Sequence, residues 1–252
     1  MDDNMILYAD RLASGNGGKA LARNINFRIS RGECVFLCGA NGTGKSTLMR
    51  TLAGLIPPVD GKTGPDSTRT VLIPARIPKV EGFTAAEFIA AGCYRDSDWL
   101  GRISARRRSG IMGVMEDVGI RHLAEKDISE LSDGEFQKAA IAAAMMQEAD
   151  VIMLDEPTAF LDVDSRDSVL SCLKSLAGRG RVSVIFSSHD IAVASGHCSR
   201  MFGLAENTEA AESEGRTYFL DSGPDASADA MDAILAKCFR TYGLRKEEID
   251  RF

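Results

Sequence analysis

The stretch Gly39-Ala40-Asn41-Gly42-Thr43-Gly44-Lys45-Ser46-Thr47 follows the apolar run Cys34-Val35-Phe36-Leu37-Cys38 and precedes Leu48 to Leu55, which has a helical composition. A G-x-x-x-x-G-K-[ST] pattern between strand and helix is a phosphate loop in its expected context. Glycines let the backbone curl so that its N–H groups converge on phosphate oxygens, and the positive end of the following helix dipole adds to the attraction. Lys45 would reach the β and γ phosphates, and the Ser46 hydroxyl would face a magnesium ion bridging the same two groups. The structural alternative is a glycine-rich turn that binds nothing, but the flanking strand and helix argue for a nucleoside triphosphate site.

Working outward, the N-terminal part reads as short antiparallel strands, Met5 to Ala9 and Ile25 to Ile29, around a turn at Ser14 to Gly18. The loop helix closes at Gly54 and Pro57-Pro58. Asp60 to Thr70 reads as a polar loop and Val71-Leu72-Ile73 as a buried strand stopped by Pro74. Thr84 with Glu87 makes a capping box for a helix through Ala91, and Arg95 to Gly101 reads as irregular. Ser104 to Val118 is a second helix, with Ile111, Val114, Met115 and Val118 at helical spacing. The run Arg106-Arg107-Arg108 near its start is weighed as a solvated face or a ligand site, and the first is the ordinary reading.

Beyond it, a long helix runs to Gln147, and strands Val151 to Leu154 and Val182 to Phe186 flank a helix from Asp164 to Leu176. After Met201 the pattern weakens to a polar stretch, Glu206 to Gly215, a short strand, Thr217 to Leu220, and a helix, Ala228 to Phe239. Alternating strands and helices imply an α/β fold with a mostly parallel core sheet and ligand groups beyond the strand ends.

Three further groups fall at element ends. Asp155 and Glu156 close an apolar strand, which suits Asp155 to a magnesium ion and Glu156 to polarising an attacking water. A helix cap before Pro157 is the simpler alternative. His189, after a strand, could hydrogen-bond a γ-phosphate and that water; alone it would be structural. Ser132-Asp133-Gly134-Glu135 is a capping box in its own right. Its functional reading is a helix start that binds a phosphate of a second subunit, with Gly134 allowing close approach.

Taken together, the phosphate loop, Leu131 to Glu135, Val151 to Glu156, Phe160-Leu161-Asp162 and His189 stand in the order of an ABC transporter ATPase subunit, and the chain resembles that family from about Ile6 to Gly203. The resemblance makes Gly39 to Thr47 Walker A, Ile152 to Glu156 Walker B, Ser132 to Glu135 the signature, Asp162 the D-loop aspartate and His189 the switch histidine. It implies a P-loop NTPase fold with a core over 1–82 and 132–205 that includes an N-terminal antiparallel β part. A helical subdomain over 83–131 and a C-terminal extension over 206–252 complete it. It implies ATP and Mg2+ as ligands and a head-to-tail homodimer holding each ATP between one Walker A and the other copy's Ser132 and Gly134. Integral-membrane permease subunits would be direct partners, and a solute-binding protein an indirect one. The segment from Ile73-Pro74 through Glu81-Gly82-Phe83-Thr84 to Gly92 is most similar to import ATPases for ferric siderophores, haem and cobalamin. The expected location is the cytoplasmic face of a bacterial inner membrane. A soluble ABC-type assembly or scaffold factor, and a regulatory subunit of low activity, are the rival readings.

The chain departs from the family pattern in three places. Ala75 stands where a Q-loop glutamine is expected, with Arg76 next. No aromatic ring for stacking on adenine is apparent near Asn16, and Tyr8 is too early. Asp133 and Glu135 replace a glycine and a glutamine in the signature, which sets repulsion of phosphate against the favourable placement of acids at a helix start.

The 252 residues give ample material for a core, and the net charge of −6 argues against a broad nucleic-acid footprint. Six cysteines without a C-x-x-C pair read as reduced thiols, Cys34 and Cys38 as small apolar residues of a buried strand, and His197-Cys198 as lacking companion metal ligands. The acidic start Met1-Asp2-Asp3-Asn4 does not resemble a signal peptide, and no apolar run approaches the roughly 20 residues that span a bilayer.

Overall fold

The computed structural model describes residues 4–92, 105–207 and 217–239, with only the backbone at 105–108. Strands β1 (Met5–Asn16) and β2 (Lys19–Ser30) form an antiparallel pair, and β1 also pairs antiparallel with β4 (Asp60–Gly64). The core is parallel. In it β3 (Cys34–Gly39) lies between β7 (Ser183–Ser187) and β8 (Arg200–Glu206), and β7 continues to β6 (Val151–Leu154) and β5 (Thr70–Ile73). Strand β9 (Thr217–Asp221) runs antiparallel to β8 and parallel to β2, joining both parts into one sheet ordered β4-β1-β2-β9-β8-β3-β7-β6-β5.

Every residue of β3, β6 and β7 is buried, as a sheet covered on both faces requires. Alternate side chains supply two cores. Val35, Leu37, Val151 and Met153 pack with β1, β2 and helix α1 (Lys45–Leu52), while Phe36, Ile152 and Leu154 pack with the remaining helices on the other face. Phe36 and Phe186 stack across β3 and β7 with ring centroids 5.4 Å apart.

Between β5 and β6 lie α2 (Ala85–Ala91), α3 (Ala105–Asp117) and α4 (Asp133–Met146), with two short 3-10 turns before α4. Thr84 caps α2 through the expected box with Glu87. Phe88 of α2 meets Phe136 of α4 at 5.3 Å, which ties these helices together. Helices α5 (Val163–Gly178) and α6 (Ile191–Ser195) flank β7, and α7 (Ala228–Phe239) packs Met231, Ile234, Leu235 and Cys238 into the core against β3 and β8.

Four readings of the sequence change. Residues Asp60 to Gly64 form an edge strand, because β1 supplies a ladder that their polar composition does not advertise. The N-terminal strands run 12 residues each instead of five, extended by Ala, Ser and Gly positions with bulges in β1. Residues Arg200–Glu206 form a buried strand, and Ile191–Ser195 a short helix. The irregular stretch Arg95 to Gly101, the side chains of Arg106 to Arg108 and most of Glu206 to Gly215 lie outside the described residues.

Three cap carboxylates are held below their ordinary values by the hydrogen bonds they accept. Asp127 accepts from the Ser129 hydroxyl and backbone N–H, Asp162 from the N–H and hydroxyl of Ser165, and Glu135 from the N–H of Ser132. A depressed carboxylate stabilises the fold above its unfolded value, 3.8 for Asp and 4.5 for Glu here, and loses that contribution as pH falls through the folded value. The double variant Asp127→Asn/Glu135→Gln is therefore expected to melt below wild type at pH 7. The gap in melting temperature should close as pH falls towards about 3. A gap independent of pH would show that the charges contribute nothing.

Candidate functional site

The carboxyl ends of parallel strands lie on one edge of a sheet, and here β3, β6 and β7 deliver Gly39, Asp155 and His189 to the same edge. A cavity of about 370 Å³ opens there. Asn41, Gly42, Gly44, Lys45, Ser46 and Thr47 line it with Asp155, Glu156 and His189, and Leu21 and Ala75 complete the wall. Gly39, Ala40 and Thr43 sit beneath as the buried floor of the loop.

The loop leaves no room for a side chain at its first glycine. Gly39 has φ 151°, and a Cβ there would stand 2.7 Å from the Leu204 carbonyl oxygen and 2.8 Å from Thr43 Oγ1. Thr43 Oγ1 donates to the Ala40 carbonyl at 2.9 Å, and its own carbonyl accepts from Thr217 Oγ1 at 3.2 Å, so β9 braces the loop. Lys45 Nζ donates to the carbonyls of Gly39 and Ala40 at 2.7 and 3.2 Å. Burial lowers the pKa of its ammonium, against the opposing pull of Glu156 and Asp155.

Glu156 has φ 54°, a left-handed conformation costly for a non-glycine residue. Its backbone N–H donates to Ser187 Oγ at 2.9 Å, while Ser187 Oγ donates to Asp155 Oδ1 at 3.0 Å. One buried hydroxyl thus orients both acids. Glu156 Oε1 lies 3.2 Å from His189 Nε2. Burial raises the Glu156 carboxyl above its ordinary 4.5, partly offset by His189 and Lys45, which makes it a better proton acceptor than a free carboxylate. Ser46 and Asp155 offer only hard oxygen donors on one wall, a set that fits a magnesium ion.

The remaining predicted groups stand apart from this cavity. Ser132 caps α4, with its Oγ accepting from the Glu135 N–H at 3.2 Å and Glu135 Oε2 accepting from the Ser132 N–H at 2.8 Å. Asp133 Oδ1 is 2.7 Å from Lys79 Nζ. Gly134 lets α4 approach α5, since a Cβ there would stand 3.0 Å from that of Ser165. Asp162 caps α5. Asp133, Lys79, Arg76 and the 67 % exposed Phe160 border a separate groove of about 450 Å³, where the Arg76 guanidinium lies 4.6 Å from the Phe160 ring centroid. Ser187, Thr217 and Leu21 carry no motif signal of their own; only Ser187, at a strand end beside His189, stands where such a role could have been looked for. Among the described thiols, Cys34 and Cys38 are buried as expected, and burial raises Cys172 and Cys198 to about 11.

Among the described residues no helix is long and apolar enough to cross a membrane. The family model described as ABC transporter matches residues 22–159. An uncharacterised ABC transporter ATP-binding protein of Methanocaldococcus jannaschii is 33% identical over 202 residues, covering 75% of this chain and 69% of that protein. The ferric enterobactin transport ATP-binding protein FepC of Escherichia coli is 29% identical over 256 residues, covering 97% and 89%. In fold, the chain matches cbiO1 of Clostridium perfringens, part of the ABC transporter complex cbiONQ, with a TM-score of 0.74 at 23% identity and 98% coverage of each chain. With a phosphate loop, two strand-end acids and a histidine on one cavity, and these relatives, the chain belongs to the ABC transporter family as an ATP-binding subunit with ATPase activity.

Proposed function

We propose that this subunit energises import of a chelated metal, with ferric siderophores as the preferred class, through ATP-driven head-to-tail pairing of two copies. One observation carries the catalytic part: three separated stretches of sequence bring Lys45, Ser46, Asp155, Glu156 and His189 to a single cavity. The loop amides and Lys45 bind the triphosphate tail, with Lys45 exchanging its bonds to the Gly39 and Ala40 carbonyls for phosphate oxygens. Glu156 accepts a proton from the attacking water, and His189 holds the Glu156 carboxylate and the γ-phosphate side of that water in line. Magnesium bound by Ser46 and Asp155 would neutralise charge on the phosphates.

The Ser132 to Glu135 stretch closes the site of the second copy, with Asp162 beside it. The helices over 83–131 would form the subdomain that meets a permease at the cytoplasmic face of the membrane, on a core over 1–82 and 132–205 to which β9 and α7 also belong, although the sequence reads them as part of a C-terminal extension over 206–252. FepC, named for ferric enterobactin transport, supports the cargo class.

The test is deletion of the gene in its host, with uptake followed by radioactive iron supplied as a ferric siderophore and by radioactive zinc. Iron-siderophore uptake should be lost and zinc uptake kept. The reverse pattern would reassign the cargo, and retention of both would remove the import role.

A further inference from the structure

We propose that Lys79 is a positioning residue of the nucleotide site shared by two copies: it cancels the charge of Asp133 at the start of α4 so that another copy's triphosphate can dock there. The inference rests on the head-to-tail reading above and deepens it.

The segment from Pro74 to Phe83 leaves β5 with Ala75 on the wall of the phosphate cavity and ends at the cap of α2, so it connects the nucleotide site to the helices. Lys79 lies midway. Its ammonium pairs with Asp133 Oδ1 at 2.7 Å, donates to the Leu131 carbonyl at 2.7 Å and stands 5.5 Å from the Phe136 ring centroid. All three contacts fall on the opening of α4 or the residues just before it. The side chains of Lys79 and Asp133 are 25% and 62% exposed, and pairs that open to solvent contribute little to fold stability. The pair matters instead for the charge that α4 presents.

Two carboxylates open this helix, and they are disposed of differently. Glu135 is engaged by the Ser132 N–H. Asp133 has no such cap bond and projects beside Ser132 and Gly134, where an unpaired negative charge would oppose a phosphate that the free amides of the 14-residue helix attract. Lys79 removes that opposition, and its bond to the Leu131 carbonyl holds the ammonium beside Asp133. A glycine at this position would need no such counter-ion; an aspartate does.

The experiment measures the Mg–ATP concentration that half-converts the full chain to dimer, by sedimentation, in a common Glu156→Gln background that slows turnover. Lys79→Met is expected to raise that concentration about tenfold at low salt, with the gap shrinking as salt screens it. Melting temperature and ATP binding to the monomer should stay at their reference values. Lys79→Arg and the double variant Lys79→Met/Asp133→Asn should both return to the reference. Unchanged dimerisation in Lys79→Met overturns the inference, as does a double variant no better than the single, which would make Lys79 a prop for the helix. Absence of ATP-driven dimers in the reference protein itself would instead overturn the head-to-tail reading beneath it.

Discussion

Replacing Glu156 by Gln is expected to leave Mg–ATP binding intact and to lower phosphate release by at least about 100-fold, the range over which positioned general bases act. Gln matches Glu in shape, so the phosphate loop and the Ser187 bond to the residue 156 N–H are retained. The amide cannot take up a proton, and it loses the charge that faces His189 Nε2 at 3.2 Å. The left-handed backbone at 156 keeps its N–H bond to Ser187 Oγ in the variant. Equilibrium binding of a fluorescent ATP analogue and a continuous phosphate assay separate the two effects. Phosphate release at the wild-type rate would take Glu156 out of the reaction.

Replacing Arg200 by Met is expected to destabilise the fold by about 3–5 kcal/mol, because it leaves buried charges without a counter-ion. The Arg200 side chain is only 5% exposed and binds two acids on different strands or their flanks. Its Nη1 donates to Glu33 Oε2 at 2.9 Å and to the Arg28 carbonyl at 2.6 Å; Nε and Nη2 donate to Asp221 at 2.8 and 2.5 Å. This network joins the turn before β3 to β8 and β9, and so underlies the strand that carries the phosphate loop. The stability change is read by urea unfolding. A triple variant that also carries Glu33→Gln and Asp221→Asn should recover much of the loss, since its stranded charges are gone. A cost below about 1 kcal/mol for Arg200→Met alone would mean that water reaches the acids and the network is not buried in effect.

The catalytic half of the site was legible because each element there announces itself locally. A glycine-rich loop after Cys34 to Cys38, acids after Val151 to Leu154 and a histidine after Val182 to Phe186 each sit at the end of a continuous apolar run, and parallel strands place their ends on one edge. Ser187 was not legible as a brace, because its partners, the Asp155 carboxylate and the Glu156 N–H, are 32 and 31 residues away in the chain. Asp60 to Gly64 and the outer halves of β1 and β2 were missed for a related reason: their strand conformation comes from a neighbour's hydrogen-bond ladder rather than from β-branched composition.

By itself, the sequence determined the chemistry on offer: amides, an ammonium, a hydroxyl, two acids and an imidazole in a family order, each with a local context that dictates strand, loop or helix. Tertiary structure alone decided what those groups meet. Lys79 reaches across 54 residues to Asp133, Arg200 gathers acids from residues 33 and 221, and β9 braces the phosphate loop from the far end of the chain. Charge pairing and burial depend on distances in space, and those follow from how the two faces of the sheet are covered, which no local window of sequence contains.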